Sequence, residues 1–251
     1  MKSPDWPYPF WIAHRGAGKR APENTLAAFR EGAAQGFRMF ECDVKLSADD
    51  VPFLLHDSAL ERTTSGTGTA GARPWAALSQ LDAGGWHGAA YAGEPPPTLA
   101  AVARFVLANG LAVNLEIKPT PGVETRTGQL VARAAAQLWS GGAPPPLLSS
   151  FEVPALEAAA EAAPALPRAL LLDELWPGWL DTARRLDCVA VVTHHRLMND
   201  ALVQPLHAAG MRALVYTVNA HADLAAMRAA GVDGVITDEV ASYGPQARSA
   251  G

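Results

Sequence analysis

Residues 38–57 read RMFECDVKLSADDVPFLLHD and contain two apolar runs, FECDVKL (40–46) and VPFLLHD (51–57). Each run has the length of a β-strand and is apolar on both sides of the pleat, which is typical of a strand buried on both faces. Only the short segment SADD (47–50) separates them. Parallel neighbours need a connection of about a dozen or more residues, so the second run must turn back on the first as a hairpin arm.

Further strand-like runs alternate with Ala-rich helical stretches along the rest of the chain. Alternation of this kind predicts a parallel sheet with helices outside it. With the hairpin arm set aside, eight parallel strands remain, and they predict an α/β protein of the (β/α)8 TIM-barrel type; a doubly wound open sheet is the alternative. The strand candidates are 11–16, 112–118, 146–151, 168–173, 188–194, 213–219 and 234–239, and the helical candidates are 24–35, 98–109, 123–139, 152–163, 177–186, 199–209 and 220–230.

Residues 57–97 interrupt this alternation. The segment is rich in Gly, Pro, Ser and Thr and is too long for an ordinary connection; such segments are usually functional or disordered. Trp75, Trp86 and Tyr91 supply side chains that can pack, so we expect an ordered insertion over one end of the barrel. A length of 251 residues suits one barrel, and we expect a single domain over residues 1–251.

The charge balance and the cysteine content argue against several classes of function. A formal charge of −5 and a pI near 5.8 disfavour nucleic-acid binding and stable membrane association, which a basic patch would support. No run approaches the roughly 18 apolar residues of a membrane helix, and the N-terminal apolar run is too short for a signal peptide. Cys42 and Cys188 form no CxxC pair, which favours a reduced compartment, and we expect a cytoplasmic protein.

Polar side chains stand at the ends of several predicted strands. In a barrel of this type the active site lies at the C-terminal ends of the strands, so we predict a site at that rim. His87, His194 and His195 are candidates for its border. The central candidates are His14, Arg15, Glu41, Asp43, His56, Asp57, Glu116, Lys118, Ser149, Ser150, Tyr216 and Asn219.

Three of these candidates are carboxylates that are expected to face one point. Glu41 and Asp43 are two apart on a strand and so share a face, and Glu116 lies on the next parallel strand. Salt bridges to Arg15 or Lys118 are one interpretation. The other is a hard divalent cation, Mg²⁺ or Ca²⁺, since clustered carboxylates repel one another unless a cation lies among them. The sequence has no third cysteine and no HExxH motif, which disfavours zinc.

Two histidines at the same rim suggest acid–base chemistry. His14 and His56 suit phosphodiester cleavage, in which one removes a proton from the attacking hydroxyl and the other protonates the leaving alkoxide. Asp57 either orients His56 by a hydrogen bond or opens the next loop. Asn24 is predicted to cap the helix that follows it. Aldolase or isomerase chemistry could use a barrel lysine and glutamate but would not need both histidines.

The ordered motifs of the chain resemble those of the glycerophosphodiester phosphodiesterase family, within the phosphatidylinositol phospholipase C-like barrels. The resemblance runs from about residue 10 to 240, includes the insertion at 57–97, and is to the compact cytosolic bacterial form. The motifs that carry it are His14-Arg15-Gly16, Pro22-Glu23-Asn24-Thr25, Glu41-x-Asp43, His56-Asp57, Glu116-x-Lys118 and Tyr216-Thr217-Val218-Asn219.

The resemblance implies metal-dependent hydrolysis of glycerophosphodiesters, such as glycerophosphocholine, to sn-glycerol 3-phosphate and an alcohol. The cation would be Mg²⁺ or Ca²⁺. Tyr216 stands where the family often has Trp, which keeps an aromatic wall for the glycerol side but changes its shape. The residues that the resemblance assigns are Glu41, Asp43 and Glu116 as metal ligands, His14 and His56 as the acid–base pair, and Arg15, Lys118 and Tyr216 as substrate-binding residues.

Two other functions stay open at this point. A phospholipase D-like enzyme acting on lysophospholipids would share these motifs but would need an apolar channel or a membrane-facing surface. A non-catalytic barrel that binds phosphodiester ligands would be expected to have lost a histidine or a carboxylate, and none is missing. The sequence also leaves open whether water or a neighbouring glycerol hydroxyl attacks first.

Overall fold

The computed structural model of the chain describes residues 6–142 and 144–245. Its strands are β1 (Trp11–Ala13), β2 (Met39–Leu46), β3 (Pro52–Leu54), β4 (Ala112–Ile117), β5 (Leu147–Ser150), β6 (Arg168–Leu172), β7 (Cys188–His194), β8 (Arg212–Tyr216) and β9 (Gly234–Thr237). All except β3 run parallel, and β1 pairs with both β2 and β9, so the sheet closes. The predicted (β/α)8 TIM barrel is confirmed, and the open sheet is wrong.

Strand β3 is the predicted hairpin arm, and it runs antiparallel to β2. The turn between them is held by Ser47, whose backbone N–H donates to the carbonyl oxygen of Val51 at 3.1 Å. Just beyond the arm, the backbone N–H of Leu55 donates to the carbonyl oxygen of Asp43 at 3.1 Å. This second bond keeps the returning chain beside β2, so His56 is delivered next to the carboxylates of that strand.

The helices of the βα units lie outside the ring, at the predicted places. They cover the outward faces of the strands, where Cys42 and Cys188 are both buried among apolar side chains. Within the described part of the chain, no helix combines the length and the apolarity that crossing a membrane requires. The helices are α1 (Leu26–Ala34), α2 (Trp75–Leu78, inside 57–97), α3 (Leu99–Ala108), α4 (Glu124–Leu138), α5 (Val153–Ala162), α6 (Trp179–Arg185), α7 (Asp200–Ala208) and α8 (His221–Ala230).

The two ends of the barrel interior differ in chemistry. Side chains alternate between the inside and the outside along each strand. Towards the N-terminal ends of the strands the inward positions are apolar and form a packed plug, as the interiors of such barrels do. Further along the same strands the inward positions carry the charged groups, which therefore rest on an apolar floor. The plug includes Ile12, Met39, Leu147, Val192, Leu214 and Ile236.

Residues 57–97 pack over the C-terminal end of β3 and the loop that follows β1. Leu60 and Leu78 form a small core of their own with Phe53 of the hairpin arm. The ring of His87 contacts the carbonyl oxygen of Lys19 at 3.1 Å, on the loop after β1. The insertion thus joins the hairpin arm to the β1–α1 loop, and both of these elements carry residues of the predicted site.

Candidate active site

The three predicted metal ligands lie together on neighbouring strands. The register of β2 against β4 sets Glu41 beside Asn114 and Asp43 beside Glu116. Glu41, Asp43 and Glu116 are buried, and one carboxylate oxygen from each lies within 4.8 Å of the others. Since these side chains point inward, beyond the apolar plug and towards the segments that carry His14 and His56, the cluster lies at the end of the barrel where the site was predicted.

The electrostatics of the cluster suit a hard divalent cation. Burial raises the pKa of Glu41 and of Glu116, and the charge of Asp43 raises both further. Burial alone would raise the pKa of Asp43 as well, but the charges of Arg15 and Lys118 outweigh it and hold that pKa low. Among the residues that the structure describes, Glu41 Oε1 is buried without a hydrogen-bond partner. The cluster offers oxygen atoms from three carboxylates, one of them unpaired, and such ligands fit Mg²⁺ or Ca²⁺.

The salt bridges that were the alternative to a cation are also present. Lys118 Nζ lies 2.7 Å from Glu116 and 3.7 Å from Asp43, and Arg15 Nε lies 3.4 Å from Asp43. Neither cation reaches Glu41, whose Oε2 accepts the backbone N–H of Arg15 at 3.0 Å. The ion pairs therefore neutralise only part of the cluster. They also hold Arg15 and Lys118 at the site, where their positive charges can meet an anionic ligand.

His14 is held at the rim by a carboxylate that the sequence analysis did not identify. Its Nδ1 lies 2.6 Å from Asp238 Oδ1, and because a carboxylate only accepts, Nδ1 carries the proton. Asn219 donates to the other oxygen of Asp238 at 2.7 Å. Burial lowers the pKa of His14, but the bond to Asp238 and the charge of Glu41 outweigh burial and raise it. The Nε2 atom is left facing the cluster, 3.7 Å from Glu41.

His56 has the same kind of support from the other side of the site. Its Nδ1 lies 2.6 Å from Asp57 Oδ1, which selects the orienting role for Asp57 over a purely loop-opening one. Arg62 donates to Asp57 and also to Glu23, so a charged network fixes this carboxylate. Burial, with a smaller contribution from the charge of Arg15, lowers the pKa of His56. Because the Nδ1 of each ring is bonded to a carboxylate, both histidines present Nε2 to the same cavity.

The predicted cap role of Asn24 is wrong. The N-cap of α1 is Thr25, whose hydroxyl accepts the backbone N–H of Ala28 at 3.2 Å. Asn24 adopts a left-handed backbone conformation, with φ of 58°, which asparagine tolerates better than most residues. Its side chain consequently points into the barrel, where Nδ2 donates to Asp43 Oδ2 at 2.9 Å and Oδ1 accepts the N–H of Asp43 at 3.1 Å. Asn24 positions a metal-ligand candidate.

A cavity of about 210 Å³ opens above the cluster and is bordered by both histidines, Arg15 and Lys118. Phe151 and Tyr216 form one wall, with ring centroids 5.7 Å apart in an edge-to-face arrangement. The Tyr216 hydroxyl donates to the carbonyl oxygen of Leu172 at 3.2 Å, which fixes the ring. Of the border candidates, His194 packs against Tyr216 without lining the cavity.

Several residues of the site were missed although a signal for them existed. Asp238 follows β9 as His14 follows β1, so the rule of polar residues at strand ends covers it. Asn114 shares a strand face with Glu116 and lines the cavity. Arg62 carried no such signal, because it lies in a loop whose contacts form only when the chain folds.

A buried carboxylate cluster and a histidine pair lie together at the C-terminal end of the barrel. This combination is that of an α/β-barrel enzyme. A sequence profile described as the glycerophosphoryl diester phosphodiesterase family matches residues 14–242. The chain belongs to this family, which confirms the predicted family and the predicted enzyme class, a phosphoric diester hydrolase.

Individual relatives match over nearly the whole chain. YhdW of Bacillus subtilis is 33% identical over 233 residues, which cover 90% of this chain and 93% of YhdW. The glycerophosphodiester phosphodiesterase of Caldanaerobacter subterraneus subsp. tengcongensis is 32% identical over 236 residues, 91% of this chain and 93% of that enzyme. A phosphodiesterase of Oleispira antarctica, solved with its product sn-glycerol-3-phosphate, is 35% identical with a TM-score of 0.85 and covers 92% of this chain and 93% of that one.

Proposed function

We propose that the protein is a divalent-cation-dependent hydrolase that cleaves small-molecule glycerophosphodiesters into sn-glycerol 3-phosphate and an alcohol. The observation that carries the proposal is one cavity that holds both histidines and adjoins the buried carboxylate cluster. The product complex of the Oleispira antarctica phosphodiesterase supports the substrate class, since that protein is 35% identical to this chain.

The cation would be held by Glu41, Asp43 and Glu116, whose oxygen-only donor set suits Mg²⁺ and Ca²⁺ alike. When bound, a cation at this position offsets negative charge on the phosphate oxygens in the transition state. We assign to Arg15 and Lys118 the binding of the non-bridging phosphate oxygens, because both border the cavity and are held there by ion pairs with the cluster.

The proton transfers are assigned to His14 and His56. One imidazole takes the proton of the attacking hydroxyl as its oxygen bonds to phosphorus, and the other gives a proton to the alcohol oxygen as its bond to phosphorus breaks. Asp238 and Asp57 each accept an Nδ1–H, so the Nε2 atoms are the ones that exchange protons with the substrate. A positioned acid–base group contributes typically about 10²–10⁴-fold to the rate.

A coupled assay for sn-glycerol 3-phosphate tests substrate class and cation together. Glycerophosphocholine, glycerophosphoglycerol and lysophosphatidylcholine are offered with Mg²⁺, with Ca²⁺ and with EDTA, and choline release is followed in parallel. We expect the first two substrates to release sn-glycerol 3-phosphate. EDTA should abolish this release, and added cation should restore it. Turnover that is indifferent to EDTA would refute the cation, and choline release from lysophosphatidylcholine alone would refute the substrate class.

A further inference from the structure

A second cavity adjoins the first at the same end of the barrel. It has a volume of about 350 Å³ and, of the described residues, shares His14 and Arg15 with the cavity above the cluster. Its other walls come from the β1–α1 loop, which contributes Lys19, and from the insertion, which contributes Trp86. The two cavities therefore meet at Arg15, to which the proposed function assigns phosphate binding, and at His14, to which it assigns one of the proton transfers.

A phosphodiester carries two organic groups on one phosphorus atom. With the phosphate at His14 and Arg15, the two groups extend in different directions, and the two cavities offer one space for each. Phe151 and Tyr216 wall the first cavity, which has the smaller volume and is also lined by Glu41 and Glu116 of the cluster. The second cavity is then the space available to the alcohol group that leaves.

The walls of the second cavity indicate which alcohol it suits. Trp86 is 44% exposed, although its Nε1–H donates to the carbonyl oxygen of Ala83 at 2.8 Å, so the indole is fixed with much of its surface open. The carboxylates of Glu23 and Asp238 line the same cavity, but Arg15 pairs with the first and His14 with the second. Lys19 is paired with Glu239 at 2.6 Å, which offsets its positive charge. With these charges paired, the open indole of Trp86 is the group left to bind an alcohol, and such an aromatic surface favours a quaternary ammonium group.

We propose that the cavity between the β1–α1 loop and Trp86 is the subsite for the alcohol group and that it favours a quaternary ammonium alcohol such as choline. The proposal rests on the proposed phosphodiesterase function. It assigns to residues 57–97 the selection of the leaving group, because Trp86 and His87 are the residues through which the insertion lines this cavity.

The test compares a cationic with a neutral leaving group. Values of kcat/KM for glycerophosphocholine and glycerophosphoglycerol are measured for the wild type, for Trp86→Leu and for Trp75→Leu. Trp75 is the matched control, since it belongs to the same insertion but packs against Phe53. We expect Trp86→Leu to lower kcat/KM for the choline ester by about 3- to 30-fold, the range of a cation–π contact, and to leave the glycerol ester within about twofold.

An equal loss on both substrates, or no loss on either, would overturn the subsite. Failure of the wild type to hydrolyse either substrate contradicts the proposed function instead. The subsite is then still tested by choline binding, followed by ligand-observed NMR without turnover. Binding that Trp86→Leu abolishes and Trp75→Leu retains supports the subsite, and binding that is absent from the wild type overturns it.

A different observation concerns the floor of the first cavity. Asn114 is 1% exposed, lines the cavity and lies beside Glu41 in the register of β2 and β4. Neither its Oδ1 nor its Nδ2 has a hydrogen-bond partner within residues 6–142 and 144–245, and the same holds for Glu41 Oε1 and for the hydroxyl of Ser149 on the next strand. A buried polar group without a partner costs about 1–3 kcal/mol. Several such groups together mark a place for water molecules or ligand atoms.

We infer that Asn114 is a positioning residue of the cation site, whose amide would hold a water ligand of a bound cation. This inference also rests on the proposed cation dependence. One oxygen from each of the three carboxylates makes three ligands, fewer than the six to eight oxygens that a cation such as Ca²⁺ takes, so water would complete the shell. An amide suits this role because it both donates to and accepts from water, and it adds no further negative charge.

Cation binding by variants tests this role without turnover. The Kd for Ca²⁺ is measured by calorimetry, and the melting temperature is measured with Ca²⁺ and with EDTA. We expect Asn114→Leu to weaken binding by about 10- to 100-fold, the usual effect of losing a residue that orients a metal ligand. The melting temperature in EDTA should hold or rise, because the substitution removes an unpaired polar group.

Thr120→Val is the matched control, because Thr120 also has a buried, unpaired hydroxyl but does not line the cavity. It should leave the Kd unchanged. Asn114→Ser, which retains a donor and an acceptor, should lie between the wild type and Asn114→Leu. A wild-type Kd in Asn114→Leu, or the same Kd in the serine and leucine variants, would overturn the role of Asn114.

Discussion

His14 and His56 reach the cavity from different elements, yet the same device holds each of them. A carboxylate accepts the Nδ1–H of each ring at 2.6 Å, and a second polar side chain fixes that carboxylate. For His14 the second side chain is Asn219, and for His56 it is Arg62. Each ring therefore has its tautomer and its orientation set before a substrate arrives.

Removal of either ring should stop turnover while the fold survives. We expect His14→Ala and His56→Ala each to lower kcat by at least about 10²-fold, the lower bound for an acid–base group. His207→Ala is the control, since this histidine is exposed and bonded to Asp233 away from the cavity. Sn-glycerol 3-phosphate release measures activity and circular dichroism checks the fold; full activity in either cavity variant would contradict the assignment.

The Asp238–His14 bond should appear in the titration of His14. Because Asp238 raises the pKa of His14, Asp238→Asn should lower it. In the wild type, the stabilising contribution of this pair is fully present below the unfolded histidine pKa of about 6.5 and is lost as pH rises through the higher folded value. NMR titration of the His14 ring in EDTA measures the shift, and an unchanged pKa in the variant would contradict it.

At the scale of elements, the hairpin and the β1–α1 loop build most of the site. The β2–β3 turn brings His56 back beside β2, and the N–H of Leu55 secures it to the carbonyl oxygen of Asp43. The loop after β1 supplies Asn24 and Thr25, adjacent residues with different tasks. Thr25 caps the N-terminus of α1, whereas Asn24 holds Asp43 by two hydrogen bonds.

Single substitutions should separate these two tasks. Thr25→Ala should lower the free energy of unfolding by about 0.5–2 kcal/mol, as the loss of an N-cap does, and leave the Kd for the cation unchanged. Asn24→Ala should weaken cation binding by about 10-fold or more, because Asp43 loses the group that orients it. Denaturant unfolding in EDTA and calorimetric titration with Ca²⁺ measure the two quantities, and the opposite pattern would restore Asn24 as the cap.

At the scale of the whole molecule, the barrel and the insertion depend on each other. Leu60 and Leu78 of the insertion bury Phe53 of the hairpin arm. The arm that leads to His56 therefore packs against the insertion as well as pairing with β2. The closed ring leaves β2 and β4 no freedom to separate, which keeps the carboxylate cluster compact despite its repulsion.

The insertion and the barrel should therefore unfold as one domain. We expect a single calorimetric transition for the full chain in EDTA, with agreement between the calorimetric and the van't Hoff enthalpy. Saturating Ca²⁺ should raise its midpoint, since a ligand that binds only the native state stabilises it by mass action. Two transitions, with early proteolysis confined to residues 57–97, would show that the insertion folds separately.

The barrel, the hairpin and most of the proposed site residues could be predicted from the sequence alone. These features follow from local patterns: the alternation of strand and helix, the four-residue turn at 47–50, and the two-residue spacing of Glu41 and Asp43. The polar residues at the strand ends then had to lie close together, because parallel strands in a closed ring end at the same rim.

The partners of those residues could not be predicted and follow from how the chain folds. Asp238 and His14 lie 224 positions apart in the chain, and the side chain of Asn24 turns from its helix to Asp43 because of one left-handed backbone conformation. The second cavity exists because the insertion folds back to place Trp86 over the β1–α1 loop. Contacts of this kind depend on loop paths and on close packing between distant segments, and neither leaves a periodic trace in the sequence.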